Sequence, residues 1–193
     1  KDRKYLDEDQ SRDIVNILRN SLAKVSNIKE SQRSGKPPKP FKTTSLQTSS
    51  KNNLGFQPRK TMSIAQRLYQ EGLITYMRTD SIRLSDVAIK ASREYISSNF
   101  SSEHLPSEPN FYGDSKNAQA AHEAIRPSGE SFTTPQELLK KYKEDSDEFK
   151  LYELIFNVTI ASQMSDARGI TKTIDLEVID NIFGSIVLGI SGT

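Results

Sequence analysis

The stretch Phe149-Lys-Leu-Tyr-Glu-Leu-Ile-Phe-Asn-Val-Thr-Ile-Ala-Ser-Gln-Met164, continued past Gly169 by Thr171-Lys-Thr-Ile-Asp-Leu-Glu-Val178, changes its hydrophobic period at one point. Phe149, Tyr152, Phe156, Ile160 and Met164 recur three or four residues apart, and Leu151, Ile155 and Val158 widen the stripe. That spacing predicts the most hydrophobic helix of the chain. Beyond Gly169, Thr171, Thr173, Asp175 and Glu177 alternate with Lys172, Ile174, Leu176 and Val178. A period of two predicts a half-buried strand, with a second over 182–190. A long buried helix running into a strand pair sets the fold class as α+β.

Upstream, Ile14, Ile17, Leu18 and Leu22 follow the acidic Asp7-Glu8-Asp9 and predict a helix over 8–22. Val25 and Ile28 sit in a polar run compatible with a strand, and Gly35-Lys-Pro-Pro-Lys-Pro40 reads as an extended crossing between domains. Residues 43–53 are rich in Ser, Thr, Gln and Asn and read as an extended loop. Thr61 or Ser63 can cap a helix carrying Ile64, Ala65, Leu68 and Tyr69 and ending at Gly72. Leu73-Ile-Thr-Tyr-Met77 is too short for a helix. It reads as a buried strand or tight turn that delivers Arg78-Thr-Asp-Ser81 to a surface. Ser85-Asp86 opens a helix with Val87, Ala88, Ala91 and Tyr95 inward, 101–117 is a loop, and 118–125 a short helix stopped by Arg126-Pro127. Thr134-Pro-Gln-Glu137 is a further helix start.

Composition narrows the function. Of 193 residues, 34% are hydrophobic and 27% charged, with a mean hydropathy of −0.63, so long solvated stretches must accompany a modest core. No run approaches the roughly 18 apolar residues of a membrane span. The chain has no Cys, which excludes disulfides, zinc ribbons, iron–sulfur sites and thiol catalysis, and its two His, His104 and His122, exclude a multi-His metal site. Lys1-Asp-Arg-Lys4, with neither Met nor a leader pattern, reads as the interior of a longer chain. The net charge of +2 hides an asymmetry: Arg33, Lys36, Lys39, Lys42, Lys51, Arg59, Lys60 and Arg67 face no acid anywhere in 31–70, whereas 103–193 carries fifteen acids against eight bases. The basic stretch reads equally as a phosphate-tracking surface or a solvated linker.

Two clusters carry candidate chemistry. Tyr76 lies two residues before Arg78 and close to Asp80. A tyrosine in an apolar run is ordinarily core. A phenol can also attack phosphorus when a neighbouring cation favours its anion and holds a phosphate oxygen, and in an extended segment positions 76 and 78 share a face. His122, Glu123 and Arg126 form the second cluster. On a helical turn 122 and 126 share a face, so His122 can bond phosphate or relay a proton while Arg126 pairs with Glu123 or phosphate. The bland alternative is a surface turn with one ion pair. Asp80 and Glu123 alone are too few carboxylates for a metal site.

Taken together, the segments resemble the type IA DNA topoisomerases. Thr75-Tyr-Met-Arg-Thr-Asp-Ser81, preceded by Gly72-Leu-Ile, is similar to that family's active-site signature, and Gln119-Ala-Ala-His-Glu-Ala-Ile-Arg-Pro127 to its second. Pro37-Pro-Lys-Pro-Phe-Lys-Thr-Thr-Ser-Leu-Gln47 and Arg59-Lys-Thr-Met-Ser-Ile-Ala-Gln-Arg-Leu-Tyr69 match two more, and Ala161-Ser-Gln-Met164 closes the long helix as in the bacterial branch. Met77, where other branches usually carry Pro, also resembles the bacterial enzymes. Departures are Ala120 in place of an acid, Lys42 in place of Thr and Asn157 in place of Arg.

The resemblance implies that Tyr76 is the nucleophile forming a 5′-phosphotyrosine in single-stranded DNA and that Arg78 stabilises charge on the phosphoryl group. It implies DNA contacts at His122, Arg59, Lys60, Thr79, Asp80 and Ser81, and local scaffolding by Glu123 and Arg126. It further implies a mainly helical active-site-tyrosine domain over 36–162 attached to part of a β-rich hinge or arch domain formed by 1–35 and 163–193. In that family the whole enzyme is an ATP-independent isomerase that relaxes negative supercoils. The implied cofactor is magnesium, on acidic ligands outside these residues. The implied partners are single-stranded DNA and the remaining domains of the same enzyme, with no membrane, in the cytoplasm at the bacterial nucleoid. The rival reading is a non-catalytic single-strand-binding module in which Tyr76 stacks on bases.

Overall fold

A computed structural model describes residues 6–113 and 122–192, which fall into two compact units: one of 36–113 with 122–166, and one of 6–35 with 167–192. In the larger unit the long hydrophobic helix is the hub. Helix α6 (Asp147–Ser162) starts at Ser146, whose hydroxyl accepts from the Phe149 N–H at 3.3 Å, with Asp147 and Glu148 favourably placed in its first turn. Leu151, Tyr152, Ile155, Phe156, Thr159 and Ile160 are all buried, so the helix is enclosed on most of its circumference. Helices α2 (Thr43–Leu54), α3 (Pro58–Gln70), α4 (Asp86–Asn99) and α5 (Pro135–Leu138) each pack against it. Met164 lies just past its end, partly buried against the same core.

Helix α2 replaces the expected loop over 43–53. Its composition is polar, but Leu46 and Ser50 are fully buried, and Leu54, one further turn on, packs on the core. The stripe is one residue wide, too narrow to register as amphipathic. Gly55, at φ 71°, ends the helix by donating its N–H to the Lys51 carbonyl at 3.1 Å, a left-handed stop that a Cβ would strain. Because Leu46 is the helix's principal core side chain, Leu46→Ala is expected to destabilise this unit by about 3 kcal/mol. A shift in denaturant midpoint worth under about 1 kcal/mol would show that α2 is only loosely docked.

Three further expectations shift. Helix α3 begins at Pro58, one turn before Thr61, whose hydroxyl back-bonds to the Gln57 carbonyl at 3.2 Å instead of capping. Val87 of α4 is exposed, while Ala88, Ile89, Ala91 and Ile96 face inward. The short helix expected over 118–125 lies partly outside the described residues. Its described part, from His122, is not helical, because Ala124 and Ile125 give their N–H groups to the carbonyls of Arg83 and Phe41 at 2.8 Å each. Tertiary partners take the bonds a helix would need.

The smaller unit holds α1 (Glu8–Asn20), opened by a capping box between Asp7 and Gln10, and an antiparallel sheet in the order β1 (Lys24–Gly35), β2 (Ala167–Asp180), β3 (Gly184–Gly192). The register sets Ile28 opposite Ile174 and Ile174 opposite Ile190, and likewise Val25, Leu176 and Leu188, giving one face an aliphatic stripe. β3 starts later than expected because Asp180 accepts N–H bonds from Ile182 (2.7 Å) and Phe183 (3.0 Å), turning the chain before Gly184.

Candidate active site

The loop after α3 carries the first cluster. Gly72, at φ 71°, donates to the Tyr69 carbonyl and releases the chain from the helix. Thereafter Ile74 and Met77 are buried, each 1% exposed, and Tyr76 (50% exposed) and Arg78 point outward. The alternation expected from an extended segment is present over 76–78, although only an isolated bridge, Ile74 to Pro127, is β-like. The Tyr76 ring meets Tyr69 edge-on, with centroids 5.3 Å apart.

Segment 122–128 braces this loop. Thr75 donates its N–H to the Arg126 carbonyl (2.9 Å) and its hydroxyl to the Ala124 carbonyl (2.7 Å), while the Arg126 N–H donates back to the Thr75 hydroxyl (3.0 Å). Arg126, only 8% exposed, grips both Glu123 oxygens at 2.9 and 3.0 Å and donates to the Pro127 carbonyl at 2.7 Å. Glu123 also accepts from the Ser85 N–H at 2.7 Å, tying the start of α4 to the brace. Burial pushes the Glu123 carboxyl up, but the Arg126 and Ser85 hydrogen bonds outweigh it and hold the group below its ordinary range. This is a buried strut. The expected helical face shared by His122 and Arg126 does not form, because the segment is extended.

Lys42, Thr43, Thr44, Arg78, Thr79, Asp80 and His122 line a cleft of about 400 Å³ at the N-terminus of α2. Four of the expected site residues, Arg78, Thr79, Asp80 and His122, thus come together. Ser81 does not line it: its N–H donates to the Thr79 hydroxyl (3.1 Å) and its own hydroxyl accepts from Arg83, shaping the loop. Arg59 and Lys60 border a separate depression with Arg67 and Asp147. The basic stretch 31–70 does not present all its charge, since Lys36 pairs with Asp166 (2.8 Å), Lys60 with Asp147 (2.8 Å) and Arg67 with Glu148 (2.6 Å). Sequence reasoning missed Thr43 and Thr44 and took Lys42 only as one base of the 31–70 stretch and as a departure from the family pattern. The signal was there in Thr43-Thr-Ser45 immediately before Leu46, a helix start read as a loop.

With two cationic side chains, an imidazole and a helix N-terminus converging, the cleft favours an anion over a cation. Magnesium does not fit it. Asp80 is its one carboxylate, Glu123 is committed to Arg126, and among the described residues no group of three or more His, Asp or Glu could hold a metal.

A family model described as DNA topoisomerase matches residues 1–187, and the chain belongs to that family. It is 44% identical over 173 residues to DNA topoisomerase 1 of Streptomyces coelicolor and 44% identical over 176 residues to DNA topoisomerase 1 of Campylobacter jejuni, covering 89% and 86% of this chain. It spans only 18% and 25% of those proteins. The full-length topoisomerase I structure from Thermotoga maritima superposes over 99% of this chain and 31% of its own, with a TM-score of 0.72 and 34% identity. Among the described residues no helix is long and apolar enough to cross a membrane.

Proposed function

We propose that these residues form the nucleophile-bearing part of a type IA enzyme that breaks and rejoins single-stranded DNA. The Tyr76 hydroxyl gives up its proton to solvent as its oxygen attacks a backbone phosphorus, forming a 5′-phosphotyrosine. The O3′ leaves and takes a proton from a group outside these residues. Attack by the same O3′ reverses the step, so bond energy is conserved and no ATP is needed. In the whole enzyme, an isomerase, repeated cycles relax negative supercoils. Arg78 stabilises charge developing on the phosphoryl oxygens. His122, with Thr79 and Asp80, lines the path of the strand, while Arg59, Lys60 and Ser81 contribute less directly. Magnesium acts at acidic residues elsewhere in the protein, the partners are single-stranded DNA and the remaining domains, and the setting is the bacterial cytoplasm at the nucleoid. Residues 36–162 serve as the tyrosine domain, and 1–35 with 163–193 as part of the arch.

The observation that carries this reading is the half-exposed Tyr76 two residues from an Arg78 that lines a cationic cleft with Lys42 and His122. The test uses the full-length protein with a labelled single-stranded oligonucleotide and a denaturing quench. Covalent label mapping to the peptide that contains Tyr76 is the expected result, and label on any other residue overturns the assignment. The 193 residues by themselves are expected not to relax supercoiled plasmid with magnesium, because in this proposal the leaving-group acid and the metal ligands lie outside them. Robust relaxation by them alone would show the catalytic parts misplaced.

A further inference from the structure

Arg78 is exposed on the cleft wall, and among the described residues no hydrogen bond or ion pair holds its guanidinium. Its position is therefore set through its backbone neighbours. Met77 is fixed by burial. The other fixture is Thr43, the first residue of α2. Its N–H donates to the Thr79 carbonyl at 2.9 Å, and its hydroxyl accepts from the Thr79 N–H at 3.0 Å. The same hydroxyl can donate its single proton to the Met77 carbonyl at 2.8 Å or the Thr79 carbonyl at 3.0 Å. One side chain thus grips the peptide groups on both sides of residue 78. It does not cap its own helix: Lys42 is the N-cap residue, and Ser45 accepts the Lys42 N–H at 3.0 Å. A threonine at this position would ordinarily serve the helix. Here its full capacity goes to the loop.

We infer that Thr43 is a positioning residue that holds Arg78 at the reacting phosphate through the peptide groups of Met77 and Thr79, an inference that rests on the role of Arg78 proposed above. Thr43→Val keeps the shape and removes the hydroxyl, leaving the Thr79 N–H without its acceptor. Arg78 then keeps its charge and loses its fixed direction. Preorganised charge that must reorient in the reaction loses its effect on rate before its effect on binding.

The experiment measures single-turnover adduct formation and single-stranded oligonucleotide affinity in the full-length enzyme, for Thr43→Val, Thr43→Ser, Arg78→Ala and the double variants. Thr43→Val is expected to slow adduct formation about 10-fold or more, with affinity held within about twofold, and Thr43→Ser to restore most of the rate. In the Arg78→Ala background Thr43→Val should cost little further, because the group it positions is already gone. The same fractional loss in both backgrounds, or a parental rate for Thr43→Val, overturns the inference. Thr43→Ala enters the same cycle if the valine variant does not fold. Tyr76→Phe in the same assay separates the two levels. An adduct that survives it overturns the nucleophile reading itself, whereas an adduct lost with Tyr76→Phe but indifferent to Thr43 overturns only the positioning role.

Discussion

Tyr76→Phe in the full-length enzyme is expected to abolish covalent capture of single-stranded DNA while leaving the fold and noncovalent binding nearly unchanged. The substitution removes one oxygen from a side chain that is half-exposed and has no hydrogen bond among the described residues, so stability should move by well under about 1 kcal/mol. The edge-on contact with Tyr69 needs only the ring and survives. Lys42, Arg78 and the N-terminus of α2 keep their charge, so oligonucleotide affinity should stay within about twofold. The chemistry does not survive, because the atom that bonds phosphorus is gone. The stacking reading makes the opposite forecast: a ring that merely receives bases works as well as phenylalanine. Adduct yield and affinity measured side by side therefore decide between them, and a Tyr76→Phe enzyme that still forms the covalent link would falsify the nucleophile assignment.

The larger features of this arrangement were legible because each rests on a local signal of its own. Period alone located α6 and β2, and Thr134-Pro135-Gln136-Glu137 announced α5, whose capping box pairs Thr134 with Glu137. The shared outward face of Tyr76 and Arg78 was legible because they flank the buried Met77, although Ile74 is buried as well, so the alternation holds only over 76–78. The misses share a cause. Helix α2 is defined by a single buried stripe, Leu46 and Ser50, in a polar background, and its existence depends on the core of α3 and α6 against which it lies. Segment 122–126 has helical composition, but its N–H groups find partners at Phe41 and Arg83, residues remote in sequence. The charge pattern misled in the same way. Acids at 147, 148 and 166 neutralise Lys60, Arg67 and Lys36 across long sequence separations, so a count along the chain overstates the cationic surface. The cationic cleft is assembled from three segments, and the one misread as loop supplies Lys42, Thr43 and Thr44. A linear reading finds residues; only the tertiary bonds say which of them share a wall.

Arg78 carries the second large effect, and its signature differs from that of Tyr76. The side chain is exposed and makes no hydrogen bond or ion pair among the described residues, so neither Arg78→Lys nor Arg78→Ala should alter the unfolding midpoint appreciably. Binding should weaken modestly. Losing one cationic phosphate contact in the alanine variant lowers the salt slope of single-strand affinity by about 0.7, whereas lysine keeps it. The rate behaves differently. A phosphoryl group under attack gathers negative charge on its equatorial oxygens, and a planar guanidinium can meet two of them at once. Lysine offers a single point donor without that fork, so Arg78→Lys should slow adduct formation by roughly 10²-fold, and Arg78→Ala by more. Removing a group that acts mainly in the transition state lowers the rate constant far more than it raises the dissociation constant. Single-turnover cleavage at saturating oligonucleotide, set beside an anisotropy titration at two salt concentrations, separates these terms. Were both Arg78→Lys and Arg78→Ala to cleave at the parental rate at saturating oligonucleotide while Arg78→Ala bound tenfold more weakly, Arg78 would be an electrostatic anchor for the strand, and stabilisation of the reacting phosphoryl group would have to come from other groups.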